Sequence, residues 1–488
     1  MSLISVAGRG EGGNGAARPN VGVGDILDLI LFVAGSSLLL WVLSSCIAER
    51  PEMWDAATLL GLNGVLAGTG FAIALRRKCP ILMTCFYFDF IFLAVAPIQQ
   101  IERKFDPIFS YDYAFYSAIA ACLMFTLFGL IALYASGRPV YRNVRPRSFF
   151  ARSPYKTGFY PAVLLTTILI VTAAMLAVLG PQLFTSRGEL GASVMELVNK
   201  SGSLVLTTFL APLVLIGSAI GLRGAIVRLD RLWILAFLAA LLLAAAVSIN
   251  PIVVPRFRTS ALTLFVLLTL TGWNNTRAIG WFLVAGVAVS PLLNAFRGSM
   301  RESYSFDQAE RQFNGFFAHM DFDCFSMMAH VVYYVGNNGY SYGANILAGM
   351  FFFVPRAIWP GKSEHVGHYI WPQIRYYRDV WTDNVSSAPF AEGYFAYGTV
   401  GAIVFCACVW AGFVLLERGA RSAEQDSPLQ LMACLTPMYA IMVLRGPFLV
   451  GYSELWGNYA ALFAALILLH IKIRVASMPR TAMQRRAA

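Results

Sequence analysis

Charge is what this sequence has least of. Only 13% of its 488 residues are Asp, Glu, Lys or Arg, about half of the quarter usual in a soluble domain. A mean hydropathy of +0.63 goes with that scarcity, and together they exclude a soluble globular chain. Cysteine is sparse in pattern as well as number: of eight, Cys79, Cys85, Cys122, Cys406, Cys408 and Cys434 fall in or beside apolar runs at no regular spacing. Neither a disulfide framework nor a zinc site is supported, and no metal is expected. The first 23 residues are rich in Gly and small residues and lack the apolar stretch of a signal peptide, which fits a disordered cytoplasmic tail. A nucleotide-phosphate loop is missing, and so is a cytoplasmic Asp-x-Asp motif, which argues against a nucleotide-sugar donor.

What is present is a series of long uncharged runs, such as residues 163–180 and 233–247. They approach or reach the roughly 20 residues a helix needs to cross a hydrocarbon core. Within lipid the backbone must bond to itself, so helices are expected. Twelve spans are expected, near 24–47, 55–75, 80–98, 113–135, 160–180, 202–222, 232–249, 259–272, 279–295, 393–416, 429–446 and 454–471. The fold class is therefore an all-α polytopic membrane protein with both termini on one side.

A net charge of +11 in a soluble protein suggests nucleic acid; here the placement of the charges speaks against such a partner. With the N-terminus cytoplasmic, the inner segments hold 22 of the 37 Lys and Arg but only seven of the 26 acidic residues, as the positive-inside rule requires. The segment 137–156 carries six cations and no acid, suited to anionic headgroups. Residues 1–23 and 472–488 are then cytoplasmic tails, 24–295 hold nine spans, 393–471 hold three, and 296–392 form one long external segment. A connection of that length is functional or disordered, and its aromatics oppose disorder. Residues 313–335 read as an amphipathic helix and 345–355 as a short one that dips into the bilayer or lies at its surface, ended by Pro355.

Arg356 follows at headgroup depth, where a lipid-linked phosphate sits and a guanidinium can grip it with paired hydrogen bonds. Arg256, Arg258, Arg297, Arg301 and Arg445 occupy other helix ends on the same side. The orientation rule predicts few cations there, so a polyanionic ligand is the simplest reason for the excess. Among the carboxylates, Glu392 stands where the external segment enters a span, a costly place for an ionisable group without a task. Asp321 and Asp323 are two apart and face different ways on a helix, so one can be catalytic and the other a cap. Asp89, inside the third span, suits a structural partner for an arginine. His365 and His368 are spaced for a metal but lack a third ligand.

The stretches NPIVVPRF, FFFVPRAIWPGK, SSAPFAEGYFAYGTVGA and VLRGPF, together with Arg356 followed after ten residues by Gly367, resemble the O-antigen polysaccharide polymerases of the Wzy type. The likeness covers hydropathy and layout over most of the chain and is motif-specific only over about 250–450. It implies a lipid-dependent glycosyltransferase of GT-C-like architecture in the bacterial inner membrane, with a periplasmic site and no cofactor. Such enzymes move a growing glycan from undecaprenyl pyrophosphate to the non-reducing end of a lipid-linked repeat. Expected partners are those lipid-linked oligosaccharides, the bilayer, a chain-length-determining co-polymerase and a flippase. The resemblance implies pyrophosphate contacts by Arg256, Arg356 and Arg445, then Arg297 and Lys362, to stabilise the leaving group. It implies a proton acceptor, first Glu392, then Asp323 and His365. Trp359, Tyr369, Trp371 and Tyr376 offer the flat faces and polar tips of a glycan groove, or of an interfacial belt. An O-antigen ligase, using the same donor, and a flippase are the alternatives; no second copy of the 355–362 stretch favours the internal repeats of a transporter.

Overall fold

The computed structural model describes residues 23–137, 150, 152–157, 159–180, 205–250, 254–299, 315–378 and 383–471. Among these, every regular element is helical. In chain order they are α1 (Val23–Glu49), α2 (Trp54–Arg76), α3 (Pro80–Glu102), α4 (Asp112–Ser136), α5 (Pro161–Leu179), α6 (Leu206–Arg228), α7 (Arg231–Ser248), α8 (Arg256–Thr271), α9 (Thr276–Ser299), α10 (Cys324–Asn338), α11 (Ala344–Met350), α12 (Val366–Arg378), α13 (Pro389–Ser422), α14 (Pro428–Arg445) and α15 (Phe448–His470). Ten of them are long and apolar enough to cross a membrane: α1 to α7 and α13 to α15. The expected spans near 259–272 and 279–295 are also helices; α8 has only 16 residues, and α9 is apolar over its described part, Thr276–Val289.

Proline and short polar caps set the helix starts. Pro80, Pro161, Pro389 and Pro428 occupy first helical positions, where the missing N–H costs nothing and the fixed φ suits the helix. Asp230 and Ser427 cap α7 and α14 by accepting from the Trp233 and Gln430 amides. Hydropathy does not reveal which helix is central. α3 is 89% buried and packs against α2 and α14, so it is enclosed by protein although its composition suits lipid equally well. Within it, buried Asp89 accepts from Thr126 Oγ1 on α4 at 3.2 Å; its partner is this hydroxyl and not an arginine.

Alternating helix directions give the bundle two polar ends. At one, Glu417 accepts from the Ile81 amide at 3.0 Å and faces Arg421, and Arg223 forms a two-armed pair with Asp426. The other end gathers the starts of α8 and α15, the end of α14 and residues 315–378 and 383–392. There ten of the fifteen residues of α10 are buried, against α4 and α13, while Tyr333 and residues 336–338 are exposed. The helix starts only at Cys324, after two short turns at Phe316–Ala318 and Met320–Phe322. α13 is broken at Tyr397 and Gly398 (φ 64°). Its first two turns fold back so closely that a β-carbon at Gly393 would overlap the Gly401 carbonyl oxygen. Glu392 therefore sits on a short helix of its own.

Candidate functional site

At the second end lies a cavity of about 430 Å³, floored by apolar side chains of α3 and α9 and rimmed by charge. Pro255 starts α8, which places Arg256 and Arg258 in its first turn, both lining the cavity. A helix N-terminus is already positive, and each exposed cation there costs about 0.3–1 kcal/mol. Two arginines at this point need anions. The protein supplies Glu454, 3.0 Å from Arg258 Nη2, and Asp321, 3.8 Å from Arg256 Nη2. Arg258 Nε is buried without a hydrogen-bond partner among the described residues.

Arg445 ends α14, where a cation suits the helix dipole, and reaches into the same cavity. Its Nε donates to the Asp321 carbonyl at 2.7 Å and its Nη2 to the Met320 carbonyl at 3.2 Å. The guanidinium thus pins the turn Met320–Phe322 to the end of α14, while Ser387 N donates to the Arg445 carbonyl. The Asp321 carboxylate, half-exposed, lines the cavity. Burial pushes its pKa up, but the His319 hydrogen bond and the charges of Arg445 and Arg256 outweigh this and hold it below the usual carboxylate range. A depressed carboxylate loses its charge only as pH falls below the unfolded value near 3.9. Asp321 is therefore ionised throughout pH 5–8, and anion binding by the cavity is expected to show no pH step from this residue in that window, as titration calorimetry with pyrophosphate would report.

Asp323 points behind the turn. It is buried, accepts from Ser386 Oγ, and lies 3.7 Å from Arg445 Nη2; burial raises its pKa despite Arg445. Of the two aspartates, Asp321 faces the cavity and Asp323 holds Arg445 from beneath.

The remaining expected residues lie elsewhere. Glu392 is 2% exposed and absent from the cavity wall. Its Oε2 accepts from Asn345 Nδ2 at 2.7 Å and its Oε1 from the Phe448 amide at 3.0 Å, so it fastens α11 and the start of α15 to the broken end of α13. Arg356 pairs with Glu364 at 2.7 Å on the surface. Lys362 is buried, and its ammonium donates to the carbonyls of Phe351, Phe352 and Val354 at 2.8–3.2 Å; all three of its protons are engaged in closing the 351–362 loop. Replacing Lys362 by Met strands those carbonyls, and faster amide exchange confined to 351–362 is the expected result by mass spectrometry.

His365 and His368 both face Asp383, at 3.6 and 3.0 Å. Burial lowers the His365 pKa. Tyr369 packs between Tyr334 and Phe395, and Trp371 carries Arg375 over its ring at 5.1 Å; these two rings and Trp359 are all half-buried. The side chains of Arg297 and Tyr376 lie outside the described residues. The structure thus joins Arg256 and Arg445 with Asp323 behind them, and adds Arg258, Asp321 and Glu454. Arg258 carried the same helix-end signal as Arg256; Glu454 had none, because it stands at the start of a run that reads as a span. No protein-family model matches this chain, and neither a curated protein nor a solved structure matches it.

Proposed function

We propose that the chain is a polysaccharide polymerase that transfers a growing glycan from undecaprenyl pyrophosphate to a lipid-linked repeat at the periplasmic face of the bacterial inner membrane. The observation that carries the reading is the convergence of Arg256, Arg258 and Arg445 on one cavity whose lining holds two carboxylates, Asp321 and Glu454, against these three cations. The bias of cations toward the opposite side supports the periplasmic placement.

In this reading the acceptor hydroxyl attacks the anomeric carbon of the donor sugar, the bond from that carbon to the pyrophosphate oxygen breaks, and undecaprenyl pyrophosphate leaves with the electron pair. The guanidinium groups neutralise the charge that grows on the leaving oxygen. The acceptor proton passes to Asp321, the ionised carboxylate on the cavity wall. Held by Arg256 and Arg445, it is a weak base; a pyrophosphate that draws those arginines to itself raises its basicity where the proton must be taken.

The test is a gel of lipid-linked glycans from cells lacking the gene, with and without the wild-type protein restored. Single repeats on the lipid, with a ladder regained only by the wild type, support the polymerase. A ladder that forms but stays on the undecaprenyl carrier identifies a ligase, and loss of all periplasmic repeats a flippase.

A further inference from the structure

A second surface at the same end of the bundle takes no part in the cavity. Tyrosines from four separate segments meet pairwise along a ribbon. The rings of Tyr333 and Tyr111 lie 4.8 Å apart. Two residues on, Tyr113 Oη meets Tyr394 Oη at 3.3 Å. Tyr340 packs over the break at Gly398, within 6.5 Å of Tyr342, whose carbonyl accepts from Tyr397 Oη at 2.8 Å. Tyr394 is buried beneath the others, and the rest are open, Tyr342 at 74% and Tyr113 at 72% the most exposed.

Interfacial belts also use tyrosine, so the neighbourhood must decide between lipid and a wet ligand. Residues 336–343, GNNGYSYG, contain no aliphatic side chain, and 107–117, 333–346 and 389–400 contain no lysine or arginine. Tyr116 Oη donates to Asp55 at 2.7 Å, and Asp112 begins α4 nearby. Segments that bring carboxylates and no lysine or arginine of their own are a poor match for anionic headgroups. The adjoining segment is unlike it: Leu347, Met350, Phe353 and Ile358 are exposed there, and that is the composition lipid selects.

We propose that the tyrosine ribbon is a binding platform for uncharged sugar residues of the growing glycan. Pyranose rings present C–H faces to the open aromatic faces, and phenol hydroxyls at the rim meet sugar hydroxyls. Tyrosine gives this area at low entropic cost because it has few rotatable bonds. Asp55 and Asp112 disfavour acidic sugars. The platform rests on the polymerase reading and extends it: a chain held here stays with the enzyme between additions, so the ribbon sets how many repeats are added before release.

The test uses the full-length protein in nanodiscs and the water-soluble glycan released from the producing cell's lipid-linked polysaccharide by mild acid, with alginate oligosaccharide as an acidic comparison. Binding of the released glycan is expected to weaken at least tenfold in Tyr340→Ala/Tyr342→Ala and only slightly in Tyr340→Phe/Tyr342→Phe, to be unchanged in Arg356→Ala, and to exceed alginate binding at least tenfold. In cells the alanine pair is expected to shorten the ladder without losing it. Equal glycan binding by wild type and the alanine pair, or alginate binding as strong as the released glycan, overturns the platform. So does a fall in the phosphatidylglycerol that co-purifies with the alanine pair in detergent without glycan, which marks the ribbon as a lipid contact. The ladder of the wild-type and deleted strains judges the polymerase by itself, because no tyrosine variant enters it.

Discussion

Replacing Arg445 by alanine is expected to abolish polymer while the protein still inserts and folds. Removal of one preorganised donor to a developing anion costs about 10²–10³ in rate, and Arg445 also pins the turn that carries Asp321. Lysine at the same position keeps the charge but lacks the planar fork, so a short, faint ladder is expected from Arg445→Lys. The internal comparison is Arg356→Ala. Arg356 is tied to Glu364 at the surface and does not line the cavity, and its loss is expected to cost no more than a few-fold on the scale where Arg445→Ala costs hundreds. A normal ladder from Arg445→Ala, with the variant present in the membrane at wild-type amounts, removes the leaving-group role.

Glu392→Ala is expected to act on stability. The substitution leaves the Phe448 N–H buried without its acceptor, at about 1–3 kcal/mol, and removes one of the two acceptors of Asn345 Nδ2, which keeps only the carbonyl of residue 392. That is a large part of the stability a folded protein has to lose, so a clear fall in the melting temperature in detergent is expected, together with looser protection of 344–350 and 446–450 in amide exchange. Glutamine retains one acceptor and turns a donor toward the other partner, so an intermediate fall is expected from Glu392→Gln. If Glu392→Ala melts with the wild type and makes no polymer, the residue touches substrate and the clamp is wrong.

The broad plan of the molecule was open to reading because it follows from one-dimensional rules: apolar runs of membrane length, proline at helix starts, cations at the flanks. Those rules also placed Arg256 and Arg445 at helix ends on one side, and alternating helix direction then brings them together. What they do not encode is sideways position. α3 and the lipid-facing α1 are alike in composition, yet one is the centre of the bundle and the other its edge. Asp321 and Asp323 are separated in role by two short turns, invisible in a pattern that reads as continuous helix, which send one carboxylate to the cavity and the other beneath Arg445. Glu392 was legible as a carboxylate in a costly place, but its partners arrive from 47 and 56 residues away. The break at Gly398 that carries it off the spanning part of α13 has no proline to announce it. Lys362 shows the same limit: a lone cation after an aromatic loop suggests a ligand, and the fold spends all three of its protons on the loop's own carbonyls.

The central claim is that the arginine cavity holds the pyrophosphate of a lipid-linked glycan donor as it departs. It is tested most directly by giving purified protein in nanodiscs its lipid-linked repeats and counting released undecaprenyl pyrophosphate against glycosidic bonds formed. The account predicts one lipid pyrophosphate per bond, and neither product from Arg256→Ala or Arg445→Ala. Bond formation without lipid pyrophosphate, or undiminished release from the Arg445→Ala protein, contradicts it.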